Sequence, residues 1–127
     1  MSDGVLVALV DDDALILEVL QMALEEGGYR VVSASTASDA MALLQQEREA
    51  CRALVTDIDI GPVGLTGWDL AKHARAVNPK IPVVYMSGAS GHDWPVNGVP
   101  ESIMLGKPFA PAQVVTAVSQ LLNANPE

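Results

Sequence analysis

Three aspartates stand at places in the sequence where a strand is expected to end. Asp11 and Asp12 directly follow the apolar run of residues 5–10, and Asp57 closes the mainly apolar run of residues 53–57. An apolar run without alternation is typical of a strand covered on both faces in a parallel α/β sheet. Because ligands in such sheets bind outside the carboxyl ends of the strands, we interpret these aspartates as a candidate site.

Two further polar residues accompany later predicted strands. Ser87 ends the run of residues 81–87, and Lys107 follows the run of residues 102–106. Since the carboxyl ends of parallel strands lie along one edge of a sheet, this hydroxyl and this ammonium are expected to join the three carboxylates. Two carboxylates about 4 Å apart repel by about 4 kcal/mol at an effective dielectric constant of about 20. One lysine does not neutralise such a cluster, and an all-oxygen ligand set favours Mg²⁺, whose remaining coordination positions can hold phosphate oxygens.

The rest of the sequence alternates predicted strands with predicted helices. Residues 88–101 are an exception, because their glycines and prolines leave little room for a stable fourth helix. The pattern predicts an α/β fold with a doubly wound, five-stranded parallel sheet and a degraded fourth helix. The predicted strands cover residues 5–10, 29–34, 53–57, 81–87 and 102–106, and the predicted helices cover 15–24, 37–47, 68–77 and the residues from 111 onward.

Length, charge and cysteine content restrict the class of protein. A chain of 127 residues, 50% of them hydrophobic, can bury one core, and we expect a single domain over residues 1–127 with no output domain. The formal net charge of −9 disfavours binding to nucleic acid or to an anionic membrane and favours a basic partner surface. Cys51 is the single cysteine and is interpreted as a structural thiol. The N-terminus does not resemble a signal peptide. From these two features we expect a cytoplasmic protein.

Four short motifs lie on these predicted elements in a fixed order. They are Val10-Asp11-Asp12-Asp13, Leu54-Val55-Thr56-Asp57, Val84-Tyr85-Met86-Ser87-Gly88 and Lys107-Pro108-Phe109. Each motif is common by itself, but the four together are specific, and the chain resembles the receiver domain of bacterial two-component response regulators. The resemblance covers essentially the whole chain and implies a flavodoxin-like (βα)5 fold of the single-domain, CheY-like type.

The resemblance also implies roles for the acidic residues. Asp57 matches the phosphoacceptor, whose carboxylate attacks a phosphohistidine on a sensor histidine kinase or a histidine phosphotransfer protein. Asp11 and Asp12 match the acidic pair that holds Mg²⁺ together with Asp57 and the backbone carbonyl of Asp59. The protein is then a self-phosphorylating acceptor that loses its phosphoryl group slowly, and not a conventional enzyme.

Ser87 and Lys107 match the hydroxyl and the lysine that bind phosphoryl oxygens, which suits a reaction that depends on positioning and neutralised oxygens. The sequence departs from the family pattern at Met104, where a switch aromatic is usual, and in the longer loop of residues 61–64. The resemblance, with these departures, implies a monomer or weak dimer that shuttles or drains phosphoryl groups or contacts an unknown downstream protein. We expect that contact surface on the last strand, the last helix and the loop before them.

Two alternative functions remain open at this stage. Asp57-Ile58-Asp59 is also the Asp-x-Asp element of haloacid-dehalogenase-type phosphohydrolases, although those enzymes place this element first and usually carry a cap. The second alternative is a phosphorylation-independent interaction module. Among the remaining polar and sulfur-containing residues, we interpret Asp13 as a helix start, His73 as a surface residue and Met22 as a core residue.

Overall fold

Five strands and four helices make up the part of the chain that the computed structural model describes, residues 4–60, 66–88 and 98–124. The predicted order of elements is confirmed, and most bounds shift by only one or two residues. The fourth strand begins two residues later than predicted because Pro82 has no N–H to donate to a ladder. The elements are β1 Leu6–Val10, α1 Ala14–Glu26, β2 Arg30–Ala34, α2 Ala37–Gln46, β3 Cys51–Asp57, α3 Gly67–Val77, β4 Val83–Ser87, β5 Ser102–Gly106 and α4 Pro111–Ala124.

The five strands form one parallel sheet in the order β2-β1-β3-β4-β5. The chain moves outward from β1 to β2, then returns across β1 to β3 and continues in the other direction. This reversal places the carboxyl ends of β1 and β3 side by side at the switch point of the sheet, where α/β proteins of this type bind ligands. The fold is the predicted doubly wound, flavodoxin-like sheet.

Apolar layers cover both faces of the sheet. In β1, Leu6, Ala8 and Val10 face the layer that contains α2 and α3. Val7 and Leu9 face the other layer, which contains α1 and α4. Every residue of β1 is therefore buried, which explains the absence of hydrophobic alternation in this stretch of sequence.

Side-chain caps fix where the helices begin. Asp13 is the N-cap of α1 and accepts hydrogen bonds from the backbone N–H groups of Leu15 at 2.9 Å and Ile16 at 3.3 Å, so its predicted role at a helix start is confirmed. A complete capping box at α3 was not predicted from the sequence. There the Thr66 hydroxyl accepts the Asp69 N–H, and the Asp69 carboxylate accepts the Thr66 N–H.

Several side chains are placed differently from the prediction. Met22 was expected in the core but is 56% exposed, and Leu15 and Val19 of the same helix are 69% and 44% exposed. The reason is that α1 buries only a narrow stripe around Leu20 and Leu24 against the sheet and α4. His73 was expected on the surface but is half-buried, and its Nε2 atom is covered without a hydrogen-bond partner among the described residues.

Two predictions lie partly or wholly outside the described residues. The longer loop of residues 61–64 is one of them. The other is the degraded helix of residues 88–101, of which only residue 88 and residues 98–101 are described, and these are not helical.

Cys51 is buried and donates to the carbonyl of Ala53 at 3.3 Å, and burial raises the pKa of its thiol, which is consistent with a structural role. None of the described helices is long and apolar enough to cross a membrane.

Candidate functional site

Three carboxylates meet at the carboxyl edge of the sheet. Asp11 and Asp12 follow β1, and Asp57 ends the neighbouring strand β3. One oxygen atom from each of the three lies within 4.8 Å of the others. Asp11 is fully buried and Asp57 is 5% exposed, whereas Asp12 faces solvent. The cluster thus has two buried carboxylates at its base and one exposed carboxylate at its rim.

Lys107 is the cation of this cluster. Its Nζ atom lies 3.4 Å from Oδ2 of Asp57 and 3.8 Å from Oδ2 of Asp11. The lysine is held there because its backbone N–H donates to the Ser87 carbonyl at 2.7 Å, which extends the pairing of β4 and β5 by one residue. Among the described residues, one ammonium faces three carboxylates, so these groups together carry an excess of negative charge.

Burial dominates the electrostatics of the two buried aspartates. Burial raises the pKa of Asp11 to about 6; the backbone N–H of Asp13, which donates to its Oδ1 at 2.9 Å, acts in the opposite direction. Burial also raises the pKa of Asp57, although the nearby ammonium of Lys107 opposes this shift. Oδ2 of Asp11 is buried and accepts no hydrogen bond from the described residues. A buried, unsatisfied carboxylate oxygen in a negatively charged cluster fits a bound divalent cation.

Each oxygen of the Asp57 carboxylate contacts a neighbouring group, which limits the orientation of the side chain. Oδ2 faces Lys107, and Oδ1 accepts a long hydrogen bond of 3.4 Å from the backbone N–H of Asp59. The next residue, Ile58, donates its N–H to the Met86 carbonyl at 3.0 Å and so ties the end of β3 to β4. The side chain of Asp59 is exposed and lies outside the carboxylate cluster, and the predicted role of its carbonyl as a metal ligand stays a prediction.

Ser87 lies at the same edge of the sheet. It is the last residue of β4 and is 1% exposed. Asp57 is paired in register with Met86, so Ser87 lies one residue beyond Asp57 on the adjacent strand, and it is paired with Gly106 immediately before Lys107. The structure therefore brings five of the predicted side chains to one edge, while their individual roles stay predictions: Asp11, Asp12, Asp57, Ser87 and Lys107.

An apolar groove lies beside the cluster and was not anticipated. It has a volume of about 330 Å³ and runs between α1 and the loop that follows β5. Lys107 belongs to its lining, so the groove and the carboxylate cluster share a wall. The other lining residues are Leu15, Ile16, Val19, Leu20, Pro108, Phe109 and Pro111. The apolar residues at helical spacing in α1 are the sequence signal for this groove, but such spacing is equally typical of a buried stripe.

Comparison with known sequences identifies a single family along nearly the whole chain. The family model of the response regulator receiver domain matches residues 7–119. The alginate biosynthesis transcriptional regulatory protein AlgB of Pseudomonas aeruginosa is 32% identical over 118 residues, covering 91% of this chain and 25% of that protein. The uncharacterized transcriptional regulatory protein YbdJ of Bacillus subtilis is 25% identical over 121 residues, covering 94% of this chain and 51% of that protein. The chain thus spans between a quarter and about half of the length of these curated relatives.

Solved structures give the same result. The response regulator receiver protein from Sinorhizobium medicae WSM419 has a TM-score of 0.89 and 41% sequence identity, and the match covers 96% of this chain and 97% of that one. A response regulator receiver domain protein from Clostridium thermocellum has a TM-score of 0.85 at 19% identity, with the same coverage of both chains, and supports the fold alone.

Proposed function

This chain belongs to the response regulator receiver domain family, and we propose that Asp57 is the residue at which it accepts a phosphoryl group. The observation that carries the proposal is the position of Asp57: a buried carboxylate at a strand end, with Oδ2 3.4 Å from Lys107 and in a cluster with Asp11 and Asp12. In the transfer, an oxygen of Asp57 forms a bond to phosphorus while the phosphorus–nitrogen bond of a phosphohistidine breaks. The imidazole leaves and takes a proton, and the product is an acyl phosphate.

Asp11, Asp12 and Asp57 are the residues that would hold Mg²⁺, with the backbone carbonyl of Asp59 as a further ligand. The unsatisfied Oδ2 of Asp11 and the charge of the cluster support this set. When bound, the ion supplies positive charge that the phosphoryl oxygens and the carboxylates share. Asp11 and Asp57 are then held in their ionised forms despite their burial.

Lys107 and Ser87 would bind oxygens of the phosphoryl group transferred to Asp57. The Lys107 ammonium already faces Oδ2 of Asp57, so it is positioned to pair with an oxygen of the phosphoryl group on that carboxylate. Ser87, on the adjacent strand, would donate its hydroxyl to a second phosphoryl oxygen. Both contacts stabilise charge without moving a proton, which suits phosphoryl transfer.

A phosphohydrolase is the less favoured alternative. The acidic pair precedes the Asp-x-Asp element, which is the reverse of the order in haloacid-dehalogenase-type enzymes, and the family match is to a receiver. We therefore expect a single-turnover acceptor whose acyl phosphate hydrolyses slowly. A phosphorylation-independent module is likewise disfavoured, because the three candidate carboxylates Asp11, Asp12 and Asp57 lie together at one site.

Labelling with a small phosphodonor tests this function. In the presence of Mg²⁺ and acetyl phosphate, mass spectrometry should detect one added phosphoryl group on the wild-type chain and none on Asp57→Asn. Asp39→Asn, a change at an exposed carboxylate on α2 away from the cluster, is the matched control and should label normally. Labelling of Asp57→Asn, or rapid turnover of a generic phosphomonoester by the wild type, would contradict the proposal.

The apolar groove supports a particular docking mode for the phosphodonor. We infer that the sensor histidine kinase or histidine phosphotransfer protein contacts Leu15, Val19 and Phe109 in the groove. Its phosphohistidine then lies next to Lys107, because this lysine lines both the groove and the carboxylate cluster. Apolar contacts suit this chain, since its net charge of −9 restricts electrostatic docking to basic surfaces.

A further inference from the structure

The first residue of α3 lies in contact with the backbone of the phosphoacceptor. Gly67 is buried, and its N–H donates to the carbonyl of Ile58 at 2.7 Å. A Cβ atom added to Gly67 would lie 2.7 Å from Cα of Ile58 and 3.0 Å from the carbonyl carbon of Asp57, and closer still to the Asp57 carbonyl oxygen. Contacts below 3.0 Å essentially never occur for a Cβ atom, and here the neighbours are backbone atoms that cannot rotate away.

The start of α3 is itself held in place. The capping box between Thr66 and Asp69 fixes the residue at which the helix begins, and the hydroxyl of Thr66 makes an additional 3.1 Å contact with the Asp69 carboxylate. Trp68, the second residue of the helix, is buried against Tyr85 of β4 with ring centroids 4.7 Å apart. The helix therefore has little freedom to move outward if a side chain is added at position 67.

On the other side, the same segment is held by β4. The N–H of Ile58 donates to Met86, and its carbonyl accepts from Gly67, so both backbone groups of this residue are used. The segment of residues 57–59 is thus enclosed between β4 and the first turn of α3. Its position decides where the Asp57 carboxylate stands relative to Lys107 and Asp11.

We propose that Gly67 is a positioning residue for phosphoryl transfer, acting through the backbone of Asp57 and Ile58. Without a side chain, it lets α3 contact the end of β3 directly and holds the Asp57 carboxylate in line for attack. This inference rests on the function proposed above. A displacement of about 1 Å in a reacting group can reduce a rate by about 100-fold. The backbone conformation of Gly67 does not itself require glycine, because its φ does not lie in the left-handed region.

The test compares Gly67→Ala with two control variants. Gly106→Ala adds the same methyl group next to Lys107, where a Cβ meets no described atom within 4 Å. Val118→Ala removes methyl groups from a fully buried position of α4 and lowers stability, and Val118 lies in the apolar layer on the face of the sheet opposite to Ile58. For each protein, the Mg²⁺ dissociation constant is measured by tryptophan fluorescence, and the phosphorylation rate by acetyl phosphate is measured at saturating Mg²⁺ and low temperature.

We expect Gly67→Ala to remain folded and to be phosphorylated about 10- to 100-fold more slowly at saturating Mg²⁺. Both controls should stay within about twofold of the wild type. An unchanged rate in Gly67→Ala overturns the proposal, as does an equal loss in Val118→Ala, because the effect would then follow stability alone. Failure of the wild type to accept a phosphoryl group would instead contradict the proposed function.

A second variant decides the question if Gly67→Ala does not fold. Thr66→Ala removes the hydroxyl cap of α3 without adding any atom near Asp57. A loosened helix start should slow phosphorylation at saturating Mg²⁺ beyond the spread of the controls. A full rate in this variant would show that the contact between α3 and the end of β3 does not position the acceptor.

Discussion

At the scale of single residues, Asp11 carries the main electrostatic cost of the site. It is fully buried, one of its oxygens has no hydrogen bond from the described residues, and burial together with the Asp57 charge raises its pKa to about 6. Such an acid favours the folded state when it is protonated and disfavours it when it is ionised. The ionised side chain of Asp11 is thus better accommodated with a cation bound than in the metal-free protein.

Asp11→Asn should stabilise the metal-free protein at neutral pH. The shift from 3.8 to about 6 corresponds to about 2–3 kcal/mol in the free energy of unfolding. Because the pKa is raised on folding, the penalty of the wild type is absent below pH 3.8, grows as the pH rises through about 6 and is complete above it. Urea unfolding in chelator at pH 4 and pH 7.5 checks this expectation. Equal stabilities of variant and wild type at pH 7.5 would contradict it.

At the scale of elements, α1 presents two kinds of apolar residue. Leu20 and Leu24 are buried against the sheet and α4, whereas Leu15, Val19 and Met22 are exposed. Leu15 and Val19 line the groove next to Lys107, and Met22 does not. Substitutions at these three positions can therefore distinguish a docking role of the groove from a general effect of exposed apolar area.

Leu15→Asp and Val19→Asp should each slow phosphoryl transfer from a phosphohistidine protein that labels the wild type. Each adds a buried charge to the proposed contact, and we expect a loss of at least about tenfold, or 1.4 kcal/mol. Their labelling by acetyl phosphate should be unchanged, because the small donor does not need the groove. Met22→Asp is the control on the same helix and should behave as the wild type in both assays. Equal losses in all three variants would exclude a specific docking site.

The interpretation of Met104 depends on the strand that lies beside it. It is half-buried and packs on the layer that contains α2 and α3, and it is paired in register with Tyr85 on β4. Met104 therefore acts as a packing residue of this layer. Tyr85 is fully buried beside it, its hydroxyl accepts the N–H of Val99 at 3.1 Å, and burial raises its pKa. The aromatic ring in this region thus belongs to β4 and not to β5.

At the scale of the whole molecule, the net charge of −9 has a general and a local consequence. Any salt screens the repulsion between carboxylates across the surface. Mg²⁺ should act in addition at the cluster of Asp11, Asp12 and Asp57, where the charges are closest. The two effects can be separated because only the second depends on these three residues.

Mg²⁺ should raise the melting temperature beyond the effect of ionic strength. At ten times its dissociation constant, a ligand of the folded state adds about 1.4 kcal/mol of stability, which corresponds to about 3–6 °C for a domain of this size. Differential scanning calorimetry in MgCl₂ and in NaCl of matched ionic strength measures the difference. Asp11→Asn should lose most of it. The same shift in both salts would mean that the cluster binds no divalent ion specifically.

The sequence by itself determined the order of the elements and the residues of the candidate site. Short-range rules are sufficient for this. The local sequence shows strands without alternation, a capping aspartate at residue 13, and acidic residues at the ends of β1 and β3. Parallel pairing then brings the strand ends to one edge, so the convergence of Asp11, Asp57, Ser87 and Lys107 follows from fold class alone.

Only the tertiary structure decided which side chains are buried and which backbones touch. Asp11 and Asp12 are neighbours in sequence, yet one is fully buried and the other faces solvent. Helical spacing gives the direction of an apolar stripe but not the width that neighbouring elements cover, so Met22 was wrongly placed in the core. The approach of Gly67 to Asp57 joins residues of different elements, and its distance depends on how α3 packs on β3. Local sequence patterns contain no measure of that distance, because packing is a property of the assembled layers.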